Sequence, residues 1–297
     1  MRKITVIGVP MWLGQTCFGT QLGPGAIRAT GLNEYLQSTY FDVVDAGDLP
    51  FITQLSTETP VADGTIRNFE AVLQGTICLH EKISAIVANG RFPLILGGDH
   101  SIAIGSIAGI ARHYHNLGVI WYDAHADSNT PETSPSGNIQ GMPLAASLGF
   151  GHPRLTGIGG YRKKVKAENI VLLGVRDLDP GERLFIRDQG IKIFSPEDIY
   201  HKGIGSIIEE TIAYLTKRCD GIHLSFDLDV IDPCEACGVG TPVADGVAMK
   251  NNLEAMSLLA QHNIITSAEF VELNPLLDKD GQTAAAASAL IRTLLKN

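Results

Sequence analysis

Long apolar runs are missing from this chain: no stretch approaches the roughly 20 consecutive apolar residues that a membrane helix requires. An excess of positive charge is missing too. Against 32 Asp and Glu stand 23 Lys and Arg, a formal net charge of −9. Nucleic acid and anionic membranes both need basic surface to displace counterions, so neither is expected as a partner, whereas a small cationic substrate suits such a field. Cysteine is scarce and odd in number, five in 297 residues, which is not the framework of a disulfide-stapled secreted domain. A cytoplasmic location is expected. Cys234 and Cys237 form a lone CxxC with no second pair to complete four zinc ligands, and they read as loop thiols. Repeats, low-complexity tracts and Pro/Ser-rich linkers are also absent.

The opening segment has a basic tip and an apolar run, the outline of a short signal peptide. Gly8 and Pro10 interrupt it and no small-residue cleavage site follows, so it reads as a first buried strand. A hydrophobic share of 44% is ample for a substantial core. Apolar runs bounded by turn residues recur at 3–8, 41–45, 93–96, 118–122, 170–175, 191–194, 222–226 and 264–271, which makes eight candidate strands. Helical spacing fills 65–89, 101–115, 204–218 and 249–262. Strands alternating with helices imply parallel pairing with both sheet faces covered. The expectation is an α/β fold of three layers, α/β/α, around a single central, mostly parallel, eight-stranded sheet, forming one domain over 1–297. The longest irregular stretch is about 128–141, and long loops in compact domains are usually functional. The charge run at 161–168 reads as solvated surface. His113 and His115 read as dipole partners at a helix C-terminus or as surface residues.

Four polar clusters share one topological address. GGDHS (97–101), DAHAD (123–127), SFDLD (225–229) and FVELN (270–274) each lie at the carboxyl end of a predicted strand, where ligands of open α/β sheets bind. In DAHAD the strand period of two puts Asp123, His125 and Asp127 on one face and the small Ala124 and Ala126 on the other. Asp227 and Asp229 repeat the device. His100 reaches the same edge from a turn in which Gly97 and Gly98 let the backbone bend sharply. A single Asp at a strand end is often just a helix cap. Two histidines and four carboxylates on one rim are different, because they concentrate negative charge that divalent cations neutralise. Six protein ligands exceed what one zinc takes and suffice for two metals if carboxylates bridge. A hard, oxygen-rich set with some imidazole favours manganese over zinc or copper, so two Mn²⁺ per subunit are expected. GGDHS is not a phosphate loop, since it offers an acid where such loops supply Lys.

Together GGDHS, DAHAD and SFDLDVIDP resemble the three metal motifs of the ureohydrolase superfamily, in an order and spacing that cover most of the chain. Within it the sequence is similar to the bacterial-type arginases. NTPETSPSGN (129–138) and RDLDPGE (176–182) resemble the elements that bind a substrate's α-carboxylate and α-amino groups, a pairing agmatinases lack. Each segment alone is ordinary turn or helix-start chemistry; their co-occurrence with the metal motifs lifts them above it. The resemblance implies that His100, Asp123, Asp127 and Asp227 hold one Mn²⁺ and that Asp123, His125, Asp227 and Asp229 hold the other, with Asp123 and Asp227 bridging. Such a pair acidifies a shared water enough to supply hydroxide near neutral pH. Glu272 matches the acid that binds the guanidinium, Thr241 a neighbouring polar contact, and Asp127 the group that passes a proton to the departing amine. Asn129, Ser134, Ser136 and Asn138 then donate to a carboxylate, and Asp179, helped by Glu182, accepts from an α-ammonium, which favours L-arginine over agmatine. Urea and ornithine are the products this implies, and a homotrimer or homohexamer the assembly.

One position departs from the resemblance. Arginases usually carry a proton-shuttling His where this chain has Gln140, in SGNIQG. Glutamine hydrogen-bonds but does not titrate, so it relays no proton by changing charge. The expectation is an active arginase with slower proton traffic. The alternatives are hydrolysis of a related guanidino compound, of the agmatine or guanidinobutyrate type, or a metal-binding homologue impaired in catalysis.

Overall fold

Apolar runs such as Ile4–Val9 and Leu117–Tyr122 have no polar face, and in the computed structural model, which describes residues 2–40, 42–50 and 66–296, both become strands buried on two sides. The eight strands are β1 (Ile4–Val9), β2 (Val43–Asp48), β3 (Phe92–Gly97), β4 (Leu117–Tyr122), β5 (Ile170–Leu173), β6 (Lys192–Phe194), β7 (Gly221–Asp227) and β8 (Ile265–Val271). They form one sheet in the order β2-β1-β3-β8-β7-β4-β5-β6, and every pairing is parallel. Alternate side chains of a strand feed two separate cores: on β4, Ile120 and Tyr122 point to one, Val119 and Trp121 to the other.

The first core is closed by α1 (Gly23–Ala29), α2 (Leu32–Thr39), α8 (Pro196–Lys202), α9 (Ile204–Thr216), α10 (Met249–His262) and α11 (Gln282–Leu294). The second lies under α3 (Phe69–Ala88), α4 (Ala103–Ala111), α5 (Pro143–Leu148), α6 (Pro153–Thr156) and α7 (Pro180–Gln189). The result is three layers, as expected. No helix among the described residues is long and apolar enough to cross a membrane.

All eight expected strands are present, with ends shifted by at most three residues; residue 41 of the expected 41–45 lies outside the described residues. The helix expected at 65–89 is α3, residue 65 again lying outside the described residues, and the one at 101–115 is a 3-10 turn followed by α4, ending at Ala111. His113 and His115 are exposed beyond it. The run at 161–168 is not uniformly solvated. Lys164 is buried, its Nζ donating to the carbonyls of Thr156 and Tyr161, and desolvation pulls its amine down to about 8. All five cysteines are free thiols.

Strand order is what assembles the site. The four motif-bearing strands are the four central neighbours, β3-β8-β7-β4, although they come from widely separated parts of the chain. Glycine serves the same end at one close approach: a Cβ on Gly98 would stand 2.1 Å from the Met11 carbonyl oxygen, so only glycine lets the loop after β1 lie on the turn that carries His100. That contact is sealed by Gly98 N donating to Val9 O at 2.9 Å and Asp99 N to Met11 O at 2.9 Å.

Candidate active site

Each carboxyl-terminal strand end breaks its strand in a way that aims a side chain. After β3, Asp99 caps a one-turn 3-10 helix by accepting from Ser101 N, and that turn carries His100 inward. After β7, Asp227 does the same for the turn Leu228–Val230, accepting from Asp229 N at 2.8 Å. DAHAD reaches the site by a different route from the one the strand period suggests. β4 stops at Tyr122, and Asp123 Oδ1 accepts from His125 N at 2.7 Å, an Asx-type turn, while Asp127 takes a left-handed backbone with φ of 46°. Asp123, His125 and Asp127 converge because the chain coils. Ala124 and Ala126 are fully buried behind them, as expected from their size.

The geometry is concentrated. His100 Nδ1 stands 3.1 Å from one oxygen each of Asp123, Asp127 and Asp227. His125 Nδ1 stands 3.0 Å from Asp229 and 3.5 Å from Asp123. Two clusters of potential ligand atoms result, His100–Asp123–Asp227 and Asp123–His125–Asp229, each with its atoms within 4.8 Å of one another and Asp123 common to both. Asp127 faces the first through His100, and Asp227 belongs to the first. Cys234 and Cys237 are in neither.

A chain of buried groups fixes the imidazole of His100. Its ring stacks on Trp121 with centroids 4.1 Å apart, and Trp121 Nε1 donates to Asp123 at 2.9 Å. His100 Nε2 is 2.8 Å from Ser225 Oγ, which itself donates to Glu269 Oε1 at 2.7 Å. Ser106 Oγ donates to the other Glu269 oxygen at 2.6 Å, and His223 Nε2 lies 3.2 Å from Glu269. Because the Ser225 proton points to Glu269, His100 Nε2 carries the proton that Ser225 accepts, and Nδ1 is left with its lone pair toward the carboxylates. Nδ1 has no hydrogen-bond partner although it is buried. A lone pair facing three carboxylate oxygens repels all of them, and one shared proton satisfies one at most. The donor set therefore fits a divalent cation, and its carboxylate-rich composition fits manganese.

The charges confirm the tension. Burial disfavours protonated His100, yet the Asp123, Asp127 and Asp227 carboxylates outweigh it and hold its basicity well above normal. Burial, then the charge on Asp123, pushes Asp127 up to about 7. Asp227 is raised by burial and by Asp229 and Asp123, and Glu272 by burial and by Asp99.

A cavity of about 130 Å³ opens from these clusters. Asp127, Asp179, Glu182, Asp227, Asp229 and Glu272 all line it and no Lys or Arg does. Glu272, just after β8, has φ of 67° and a carboxylate held at both oxygens, Oε1 accepting from His100 N at 2.7 Å and Oε2 from Gln15 Nε2 at 2.8 Å. Thr241 Oγ1 donates to Asp229 at 3.2 Å. Ser134, Ser136, Asn138 and Gln140 reach the cavity from the long loop. Ser134 Oγ accepts from Gly137 N and Ser136 Oγ from Asn138 N, so both hydroxyl protons stay available. Asn138 Oδ1 and Gln140 Oε1 are buried without partners.

Two expected contacts are built differently. Asn129 lines the cavity with its amide partly committed: Nδ2 donates one N–H to Asp179 at 2.8 Å and Oδ1 accepts from Thr133. Glu182 is buried as the third residue of α7, accepting from Ser128 N at 2.9 Å and Asp179 N at 3.0 Å, a capping box that ties the long loop to the helix. Helix-start chemistry and a polar site are here the same residues. Sequence reasoning missed Trp121, His223, Glu269 and Gln15. Ser225 and Asp99 lay inside quoted motifs without being singled out, and Arg176, in RDLDPGE, donates to the carbonyls of Asp229 and Val243, bracing the Thr241 loop.

A family model described as the arginase family matches residues 2–296. The chain is 54% identical over 294 residues to an arginase of Bacillus caldovelox, covering 99% of this chain and 98% of that one, and the native structure of that enzyme superposes with a TM-score of 0.97 over 100% and 99% of the two chains. It is 50% identical to an arginase of Bacillus subtilis (strain 168), covering 99% and 98%. An arginase of Entamoeba histolytica, solved in complex with L-ornithine, is 34% identical with a TM-score of 0.91 over the whole of both chains.

Ser225→Ala removes the acceptor that sets the His100 tautomer. Calorimetric titration with Mn²⁺ is expected to show affinity lower by roughly tenfold to a hundredfold with the fold retained; wild-type affinity contradicts this reading of the buried chain.

Proposed function

The chain belongs to the arginase family, and from that premise we propose that it is a binuclear manganese hydrolase that cleaves the guanidinium of L-arginine to L-ornithine and urea. One observation carries the reading: a single cavity that opens from two metal-binding clusters is lined by six carboxylates and by no Lys or Arg, which suits a cationic substrate beside a cationic centre. The complex of the Entamoeba histolytica arginase with L-ornithine supports an α-amino-acid product of this kind.

In this proposal His100, Asp123, Asp127 and Asp227 would hold one ion, and Asp123, His125, Asp227 and Asp229 would hold the other. When bound, the pair acidifies water so that hydroxide is available near neutral pH. Glu272 accepts from the guanidinium N–H groups and turns the central carbon toward the clusters. Hydroxide oxygen bonds to that carbon, the bond to the δ-nitrogen of the product amine breaks, and Asp127 passes the hydroxide proton to the departing nitrogen. Asp127 stands beside His100 and lines the cavity, so its carboxylate is placed to take and give a proton there.

At the other end, the hydroxyls of Ser134 and Ser136 and the amide of Asn138 donate to the α-carboxylate. Asp179 accepts from the α-ammonium, held in place by Asn129 and by the Glu182 capping box. Thr241 orients Asp229. A single domain over 1–297, a homotrimer or homohexamer and a cytoplasmic location belong to the same proposal.

Urea release from arginine, agmatine and guanidinobutyrate, each offered separately to the Mn²⁺-loaded chain, checks the substrate. Arginine is expected to be favoured by on the order of a hundredfold or more, because analogues leave the carboxylate donors or Asp179 unpaired. Comparable or better turnover of either analogue contradicts it. Gln140 lies where it meets the substrate's surroundings and does not titrate. Gln140→His is therefore expected to raise kcat, and small buffer bases to accelerate the native chain. Rapid arginine hydrolysis insensitive to both contradicts slow proton traffic.

A further inference from the structure

Gln15 sits in the loop after β1, far in sequence from every motif of the site, and is only 2% exposed. Its loop is pinned on three sides. Gly14 N donates to Asp99 Oδ2 at 2.7 Å, Gln140 N donates to Gly14 O at 3.0 Å, and Asn68 Nδ2 donates to Leu13 O at 2.9 Å. A Cβ on Gly14 would stand 2.5 Å from Asp99 Oδ1, so the approach is as close as backbone allows. From that fixed position Gln15 Nε2 donates to Glu272 Oε2 at 2.8 Å, while the backbone N–H of His100 holds Oε1 at 2.7 Å.

A glutamate carboxylate turns freely about its last torsion, whose preference is broad. Two donors on different oxygens remove that freedom. They also use about half of the carboxylate's lone-pair sites and leave acceptor capacity on both oxygens, enough for two N–H groups of a planar guanidinium. The His100 N–H is backbone and comes with the metal-bearing turn. Gln15 is the clamp that a side-chain substitution can remove by itself. We infer that Gln15 is a positioning residue for substrate recognition: its amide locks the plane of the Glu272 carboxylate so that this remaining capacity faces the guanidinium end of the cavity. Gln15 does not line that cavity and acts through Glu272. Its amide oxygen lies 2.9 Å from where a Gly240 Cβ would be, so the same side chain also limits how near the Thr241 loop can move. This inference rests on the guanidinium reading of the site.

The test compares Gln15→Leu, which keeps the volume and loses the donor, with Gln15→Asn, whose donor is one methylene short. Both are characterised as the Mn²⁺-loaded chain. Arginine affinity is measured by calorimetry, urea release by steady-state kinetics, inhibition by an aliphatic α-amino acid of matching length without a guanidinium, and bound manganese by elemental analysis. The expected result for both variants is a KM and a calorimetric Kd for arginine raised by on the order of tenfold to a hundredfold, as for loss of a hydrogen bond to a charged group. Inhibition by the apolar amino acid and the manganese content stay as in the wild type, because neither touches the guanidinium end. If both variants keep arginine affinity within about twofold, or if inhibition by the apolar amino acid weakens in parallel, Gln15 is not a positioning residue for Glu272. Absence of urea from the wild-type chain overturns the guanidinium reading instead, and that is scored on the wild type alone.

Discussion

Three carboxylate oxygens, each 3.1 Å from the same nitrogen of one buried imidazole, are a mutually repulsive arrangement that demands positive charge between them. Every other feature of the upper sheet edge follows from the need to hold that arrangement in place. The tautomer of His100 is set from behind by Ser225 and Glu269, its ring is held flat against Trp121, and Trp121 in turn donates to Asp123. Asp227 and Asp123 are each restrained by a backbone N–H two residues on. The carboxylates cannot relax apart, so a cation relieves a tension that the protein does not relieve by itself.

The fold supplies the restraint through strand order. Because β8 and β7 lie between β3 and β4, the loops leaving β3 and β4 flank the two middle strands, and motifs more than a hundred residues apart share one rim. Two non-glycine residues at that rim, Asp127 and Glu272, adopt left-handed backbone. Conformations of that kind cost roughly 1–3 kcal/mol each and persist where surrounding structure over-determines them. Here the surroundings are identifiable: Glu272 N donates to Gly98 O at 2.9 Å, and Leu144 N donates to Asp127 O at 2.9 Å.

Much of this was legible in the residues themselves, and the exceptions have physical causes. Apolar runs flanked by turn residues located all eight strands; the six inner ones, covered on both faces, carry a nearly unbroken apolar signal, whereas the edge strands β2 and β6 are partly exposed and show only short runs. The short helices α1, α5, α6 and α8 were not anticipated, since four to seven residues carry too little periodicity to stand out, and neither were α2 or the longer α11, whose run of alanines offers few large apolar side chains to mark a face. DAHAD was read as alternation along a strand, and its residues do converge, but through a turn, because the side-chain spacing of a coiled segment can mimic a period of two. The DPGE segment was both things it could be, a helix start and part of the site. Lys164 was read as surface, and wrongly, because composition does not reveal which lysine of a cluster finds two carbonyls to bury against. Gln15 carried no signal at all: its meaning comes from a loop contact between the first and last strands of the chain, which no local pattern encodes.

The central claim is that the six ligand side chains hold a pair of cations side by side. Diffraction from crystals of the Mn²⁺-loaded chain, recorded at the manganese absorption edge, tests it most directly. The account predicts two anomalous peaks per chain, one beside His100 and one beside His125, with Asp123 between them. A single peak, or peaks away from these side chains, would contradict it.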